Sequence, residues 1–264
     1  MTDIRLHVTS RGADRATLVG ATGTGKSTLA EYLLRGFRED YPHARIMVLD
    51  TKPRWRAEWL PDGTHADRRY KRMAEGDTIH GSMALDRWDD WDLVWDRDVN
   101  PSQTVIVQRI GTRRHPVTQR GNIMFSVACA EKFFHTQDAK RPSLIYFDEG
   151  MDFFHSSSAA RGGSDIVQRC YRAGREMGLV PVMGCQRPIG INIQTLTELN
   201  YCALFDLDYR KDVRRLWEMG WPQQIPPPHT EPFGGSDPSG TFRLWRKGIT
   251  APKYRLALEG KKAA

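Results

Sequence analysis

Short, almost purely apolar runs recur along the chain, with longer stretches of mixed polarity between them. Ala16-Thr17-Leu18-Val19, Arg45-Ile46-Met47-Val48-Leu49-Asp50, Thr104-Val105-Ile106-Val107 and Ser143-Leu144-Ile145-Tyr146-Phe147 are the first four. Val180-Pro181-Val182-Met183-Gly184-Cys185 and Tyr201-Cys202-Ala203-Leu204-Phe205-Asp206-Leu207 follow. Runs of this length without apolar–polar alternation read as strands buried on both faces, as in parallel sheets. Helical patterns fall between them: 26 to about 37, about 117 to 134, a segment carrying Arg169, Arg172 and Arg175, and 212–219, which stops at Gly220. Strands alternating with helices predict an α/β domain with a mostly parallel central sheet. Residues 4–8 alternate apolar and polar and predict a short extra strand. Phe242-Arg243-Leu244-Trp245 and Tyr254-Arg255-Leu256-Ala257-Leu258 predict a closing pair.

The 264 residues are enough for one large domain with a full core. That core is expected over about 14–222, with a loop and the closing pair over 223–264. Pro226-Pro227-Pro228 and Gly234-Gly235-Ser236 mark a loop rather than a second domain. No run of 18 apolar residues exists, so no membrane span is expected. The first residues lack the apolar centre of a signal peptide. Four cysteines without a C-x-x-C pair predict reduced thiols and a cytoplasmic setting, either a host cytoplasm or a virion.

One region resists this reading. Residues 53–103 hold Trp55, Trp59, Trp88, Trp91 and Trp95 among many charges. Trp88, Trp91 and Trp95 stand at i, i+3 and i+7, one face of a helix, which predicts packing on the core. A nucleic-acid stacking platform is the alternative. Asp86, Asp89, Asp90, Asp92, Asp96 and Asp98 around it would repel phosphate.

The chemistry is concentrated after the first apolar run. Gly20-Ala21-Thr22-Gly23-Thr24-Gly25-Lys26-Ser27-Thr28 has the spacing G-x-x-x-x-G-K-S, the P-loop or Walker A pattern, and it lies between a strand and a helix as that pattern requires. Glycines let backbone N–H groups close round a phosphate chain, and the helix N-terminus adds positive charge. Lys26 is placed to reach the β- and γ-phosphates of ATP, and the Ser27 hydroxyl to ligate Mg²⁺. A dinucleotide fingerprint is excluded, because no glycine stands three residues after Gly25. Further on, the run Ser143–Phe147 ends in Asp148-Glu149, the Walker B pattern. Asp148 would hold the metal and Glu149 would deprotonate an attacking water.

The net charge of +7 is carried largely by arginine, 29 of the 39 basic residues. Arginine suits bidentate phosphate contacts, so a polyanion partner is one reading and a solvated basic surface the other. The basic loop 109–116, with Arg113 and Arg114, and Arg161 in the small polar stretch 155–163 are the candidate contacts.

Several phrases, in consistent order over about 14–222, resemble the FtsK/HerA family of DNA-pumping ATPases. They are the G-x-T-G-x-G-K-S loop, Asp50-Thr51-Lys52 after the first helix, and the Asp148-Glu149 end of Walker B. Arg172-Ala173-Gly174-Arg175, Gln186-Arg187-Pro188 and the helix Asp212-Val213-Arg214-Arg215-Leu216 complete the set. The resemblance implies a RecA-like P-loop sheet, ATP hydrolysis with Mg²⁺, and a homo-oligomeric, hexameric ring moving double-stranded DNA without reading its sequence. It implies that Gln186 senses the γ-phosphate. It also implies that Arg172 or Arg175 is an arginine finger, acting in its own site or a neighbour's; a solvated helix face is the other reading of both. A bare core of this size is similar to viral genome-packaging ATPases, with a capsid or portal as partner. Conjugation-type coupling ATPases and assembly or secretion ATPases of the zonula-occludens-toxin type share the same core. A small-molecule kinase would not need Glu149, and a GTP-dependent switch would need an Asn-Lys-x-Asp reader that the chain lacks.

Overall fold

Among the described residues nine strands form the main sheet, and seven consecutive ones, reaching one edge, run parallel. A hairpin of β1 (Val8–Thr9) and β2 (Gly12–Ala13) precedes it. The chain continues through β3 (Ala16–Val19), α1 (Lys26–Asp40), β4 (Arg45–Leu49), β5 (Met83–Leu85), α2 (Trp91–Val94), β6 (Thr104–Val107) and α3 (Gln119–His135). Next come β7 (Ser143–Phe147), α4 (Gly150–Phe154), α5 (Ile166–Ala173), β8 (Leu179–Cys185), α6 (Ile193–Thr197), β9 (Tyr201–Leu204), α7 (Arg210–Glu218), β10 (Thr241–Arg246) and β11 (Lys253–Arg255). The order across the sheet is β11-β10-β9-β3-β8-β7-β4-β6-β5. β9 through β5 are parallel, and β10 and β11 add to β9 antiparallel.

This computed structural model describes residues 4–10, 12–51, 55, 83–85, 88–98, 100, 103–108, 118–154, 165–207, 209–218, 220–221, 241–246 and 253–255. The expectations for Lys52, Trp59, Asp86, the basic loop with Arg113 and Arg114, the polar stretch with Arg161, and the proline and glycine loop after residue 222 lie outside them.

For β4 and β7 the lack of alternation is explained by two cores. Ile46 and Val48 of β4 and Leu144 and Tyr146 of β7 join α1 in one cluster. Their sequence neighbours Met47, Leu49, Ile145 and Phe147 join α3 and α5 in the other. Both faces of each strand are dry, so both sets of positions must be apolar. Each such side chain contributes roughly 1.5–3 kcal/mol by leaving water.

α1 buries Leu29, Ala30, Leu33, Leu34 and Phe37 along one stripe. It runs three residues further than its apolar pattern implies. Arg38 is buried in that extension, and its guanidinium donates to Ala44 O at 2.7 Å and to Thr104 Oγ1 at 2.9 Å, tying the helix end to β6.

The tryptophan face behaves differently from expectation. Residues 88–90 form a single 3₁₀ turn, and the α-helix after it is only four residues long. Trp91 is buried, Trp95 is half-buried against Phe133, and Trp88 stays 44% exposed beneath the Lys132 ammonium. Trp88 stays on the shared face, its ring centroid 5.8 Å from that of Trp91, but at the rim where solvent reaches it. The closing strands pair as expected, and β10 also joins β9, with Arg243 opposite Leu204. Residues 4–8 keep their alternation, with Ile4 and Leu6 buried, although only Val8 reaches a ladder.

Candidate nucleotide site

β3 lies between β8 and β9, and the loop that leaves it is pinned to both. Gly20 N donates to Cys185 O at 3.0 Å and Ala21 N to Asp206 O at 2.9 Å. Gly23 (φ 82°) and Gly25 (φ 108°) adopt left-handed backbone, where a Cβ would be strained. Gly25 is also the residue that starts α1, and its carbonyl accepts the first helical bond from Leu29 N. The N–H groups of a helix's first turn have no partners within the helix, so they are available to an anion.

A cleft of about 220 Å³ opens at this turn. Thr22, Gly23, Gly25, Lys26, Ser27 and Thr28 form one part of its lining; Asp148, Glu149 and Gln186, from the ends of β7 and β8, form the rest. The predicted Walker A and Walker B residues thus share one cavity. Gly20 and Thr24 shape the loop and are not part of the lining: Thr24 Oγ1 donates to Ala21 O at 2.9 Å. Lys26 Nζ donates to Gly20 O at 2.8 Å and Ala21 O at 2.7 Å, folded back over its own loop.

One polar chain crosses the cleft and a second backs it from the core. Thr22 Oγ1 donates to Gln186 Oε1 at 3.1 Å, and Gln186 Nε2 donates to Glu149 Oε2 at 2.6 Å. Gln186 therefore joins the phosphate loop to the Walker B glutamate, which is only 6% exposed. On the β7 side, Asp148 Oδ1 accepts from Trp55 Nε1 at 2.8 Å and from Tyr146 Oη at 3.4 Å. Burial, and then the Asp148 charge, push the Tyr146 phenol well above its ordinary value. It therefore remains a protonated donor at any physiological pH.

Ser27 and Asp148 present a hydroxyl and a carboxylate to the same cavity. Such hard oxygen donors suit Mg²⁺, which keeps most of its shell as water and phosphate oxygen. Among the described residues, no group of three or more His, Cys, Asp or Glu side chains could hold a metal by itself. The donor set fits an ion brought in with a nucleotide.

Asp50 ends β4 beside Asp148 and is fully buried. It is not part of the cleft lining, and its Oδ2 accepts from Trp55 N at 2.7 Å. Arg172 and Arg175 lie elsewhere. Both are exposed, in the last turn of α5 and the 3₁₀ turn (Gly174–Met177) before β8. The Arg175 stem covers Gly12 so closely that a Cβ there would come within 2.2 Å of its Cγ. The cleft is at the other end of β8, about 20 Å away at ~3.3 Å per strand residue. Within one chain, then, Arg172 and Arg175 have no access to the Lys26 site.

No family model matches the chain, and no curated protein sequence does. Solved structures do. The genome packaging NTPase B204 from Sulfolobus turreted icosahedral virus 2, in complex with AMPPCP, aligns with a TM-score of 0.53. The match covers 92% of this chain and 97% of that one at 12% identity. B204, the DNA-packaging ATPase from Sulfolobus turreted icosahedral virus, aligns with a TM-score of 0.52 over 92% and 97% of the two chains at 11% identity. This chain has the P-loop NTPase fold. At such identities the likeness is one of fold alone.

In the P-loop NTPase fold the ligand crevice lies beyond the carboxyl ends of the parallel strands, which is where the Lys26–Glu149 cleft opens. Two contributors escaped the sequence reading. Trp55 carried no motif, and Tyr146 looked like one more apolar strand residue. Arg187 follows Gln186 and donates through Nε to the fully buried Asp212 at 2.8 Å, which anchors the turn after β8 to α7.

Proposed function

We propose that the chain is an ATP-hydrolysing motor of the FtsK/HerA type that moves double-stranded DNA, with genome packaging as its setting. The observation that carries this reading is the convergence of Lys26, Asp148, Glu149 and Gln186 on one cleft beside the phosphate loop. A switch protein or a small-molecule kinase gives no role to a glutamate held at that point.

In this reading the loop and the first turn of α1 hold the β- and γ-phosphates. Lys26 exchanges its loop carbonyls for phosphate oxygens. Glu149 accepts a proton from water as the water oxygen bonds to the γ-phosphorus, and the bond to the β–γ bridging oxygen breaks to release ADP. Mg²⁺, carried by Ser27 and Asp148, would neutralise charge on the phosphate oxygens. Gln186 contacts both Thr22 and Glu149, so loss of the γ-phosphate on one side is felt on the other. Since Arg172 and Arg175 are remote from their own cleft, an arginine finger from either must come from a neighbouring subunit, which supports a ring of copies. The excess of arginine and the charge of +7 support a DNA partner held through its backbone. A capsid or portal would be the docking partner of a packaging motor.

ATP hydrolysis measured with and without duplex DNA tests the proposal. DNA-stimulated turnover is expected. Turnover that ignores DNA would instead favour a motor that moves protein, and no turnover with either would reject the motor.

A further inference from the structure

We infer that Trp55 is a positioning residue for the metal-binding carboxylate. Its indole N–H sets the rotation of Asp148, and Asp50 in turn sets Trp55. The inference rests on the ATPase reading above and adds to it a residue that no Walker motif contains.

Three observations carry it. First, β4 and β7 are neighbours with Leu49 opposite Phe147, so the residues that follow, Asp50 and Asp148, emerge side by side. Two adjacent carboxylates repel unless donors stand between them. Second, one residue supplies donors to both: Trp55 N to Asp50 Oδ2 at 2.7 Å and Trp55 Nε1 to Asp148 Oδ1 at 2.8 Å. Third, the indole is fixed. It is 3% exposed, and its ring centroid stands 5.2 Å from that of Tyr146, whose own hydroxyl donates to the same Asp148 oxygen.

A carboxylate that binds a metal must present a given edge, and groups hydrogen-bonded to it decide which. Removing such a group commonly weakens metal affinity or activity about 10- to 100-fold without touching the ligand itself. Trp55 and Tyr146 both address Oδ1 from the core side, while Asp148 lines the cleft. The orientation that Asp148 offers to a metal is therefore set by the indole. Asp50, fully buried and outside the cleft lining, acts one step further back through the Trp55 backbone.

The test is binding of Mn²⁺, a paramagnetic substitute for Mg²⁺, to the full chain saturated with a non-hydrolysable ATP analogue. Electron paramagnetic resonance reads the free ion. Trp55→Phe keeps an aromatic ring against Tyr146 and deletes the donor. Its Mn²⁺ dissociation constant should rise about 10-fold, while affinity for the analogue in the presence of EDTA stays at the wild-type value. Should Trp55→Phe fail to fold cooperatively, a sulfur isostere of tryptophan placed at position 55 removes only the N–H, and the same shift is expected. Mn²⁺ affinity equal to wild type in either folded variant overturns the inference. Wild-type protein that binds the analogue no better with Mn²⁺ than with EDTA would overturn the ATPase reading instead, so the two failures are distinguishable.

Discussion

Gln186 donates its side-chain amide to Glu149 Oε2 at 2.6 Å, from the end of one strand to the end of the next. The same amide group accepts from Thr22 in the phosphate loop. Gln186→Ala removes a donor from the residue that must handle the attacking water. A general base contributes about 10²- to 10⁴-fold only when positioned, so losing the group that orients it costs turnover on the order of 10²-fold. Steady-state phosphate release should fall by that order with ATP affinity nearly unchanged. Wild-type turnover would show that the bond only packs the cleft.

Glu149→Gln preserves the volume and removes the proton acceptor. Turnover should drop about 10²- to 10⁴-fold while ATP is still bound, and Lys26→Ala should weaken binding itself. Filter binding of labelled ATP beside a hydrolysis assay separates the two. Near-normal hydrolysis by Glu149→Gln would remove Glu149 from the mechanism.

Arg172 and Arg175 stand at the far end of β8 from Lys26, so a finger from either must cross to another subunit. Arg172→Ala or Arg175→Ala should lower turnover, with a finger worth about 10³- to 10⁵-fold, and specific activity should rise with protein concentration. Mixing the finger variant with Glu149→Gln should restore some activity. An interface then forms with Glu149 from one chain and the arginine from the other. Activity that is the same in dilute monomers as in concentrated samples would contradict the ring.

DNA held through its phosphates releases counterions on binding. The logarithm of affinity should fall linearly with the logarithm of salt, by about 0.9 per phosphate contacted, with little dependence on sequence. Fluorescence anisotropy over a salt series reads the slope. A flat line would exclude the backbone grip.

Asp212 is fully buried and accepts from Arg187 Nε at 2.8 Å and Ile189 N at 3.2 Å. Arg187→Ala strips the charged donor from that carboxylate and should cost about 1.5–3 kcal/mol in chemical denaturation. Arg187→Lys should recover only part, because a guanidinium also stacks on Tyr209, with its Cζ 4.5 Å from the ring centre. An unchanged midpoint for Arg187→Ala would mean that solvent satisfies Asp212.

Local pattern revealed most of the site. The glycine spacing before Lys26 and the apolar run before Asp148 are each fixed by neighbouring residues, so both could be read without the fold. The strand positions were legible for the same reason, since a strand dry on both faces has no polar period. What remained hidden depends on distance through space. Trp55 reaches Asp148 only because β4 and β7 are adjacent, an adjacency that the sequence does not encode locally. The remoteness of Arg172 from Lys26 follows from the direction in which α5 leads into β8. The tryptophan face was legible too: in a 3₁₀ turn i and i+3 eclipse, so Trp88 still aligns with Trp91, and only its exposure at the rim of the face could not be read from spacing.

The antiparallel strand β10 covers the side of β9 that faces away from β3. Without that cover, β9 would display a row of open amides and carbonyls beside the very strand end, at Asp206, that anchors the phosphate loop. A chain cut before residue 241 would thus trade a sheet neighbour for an adhesive margin, and its solubility would fail along with its nucleotide affinity.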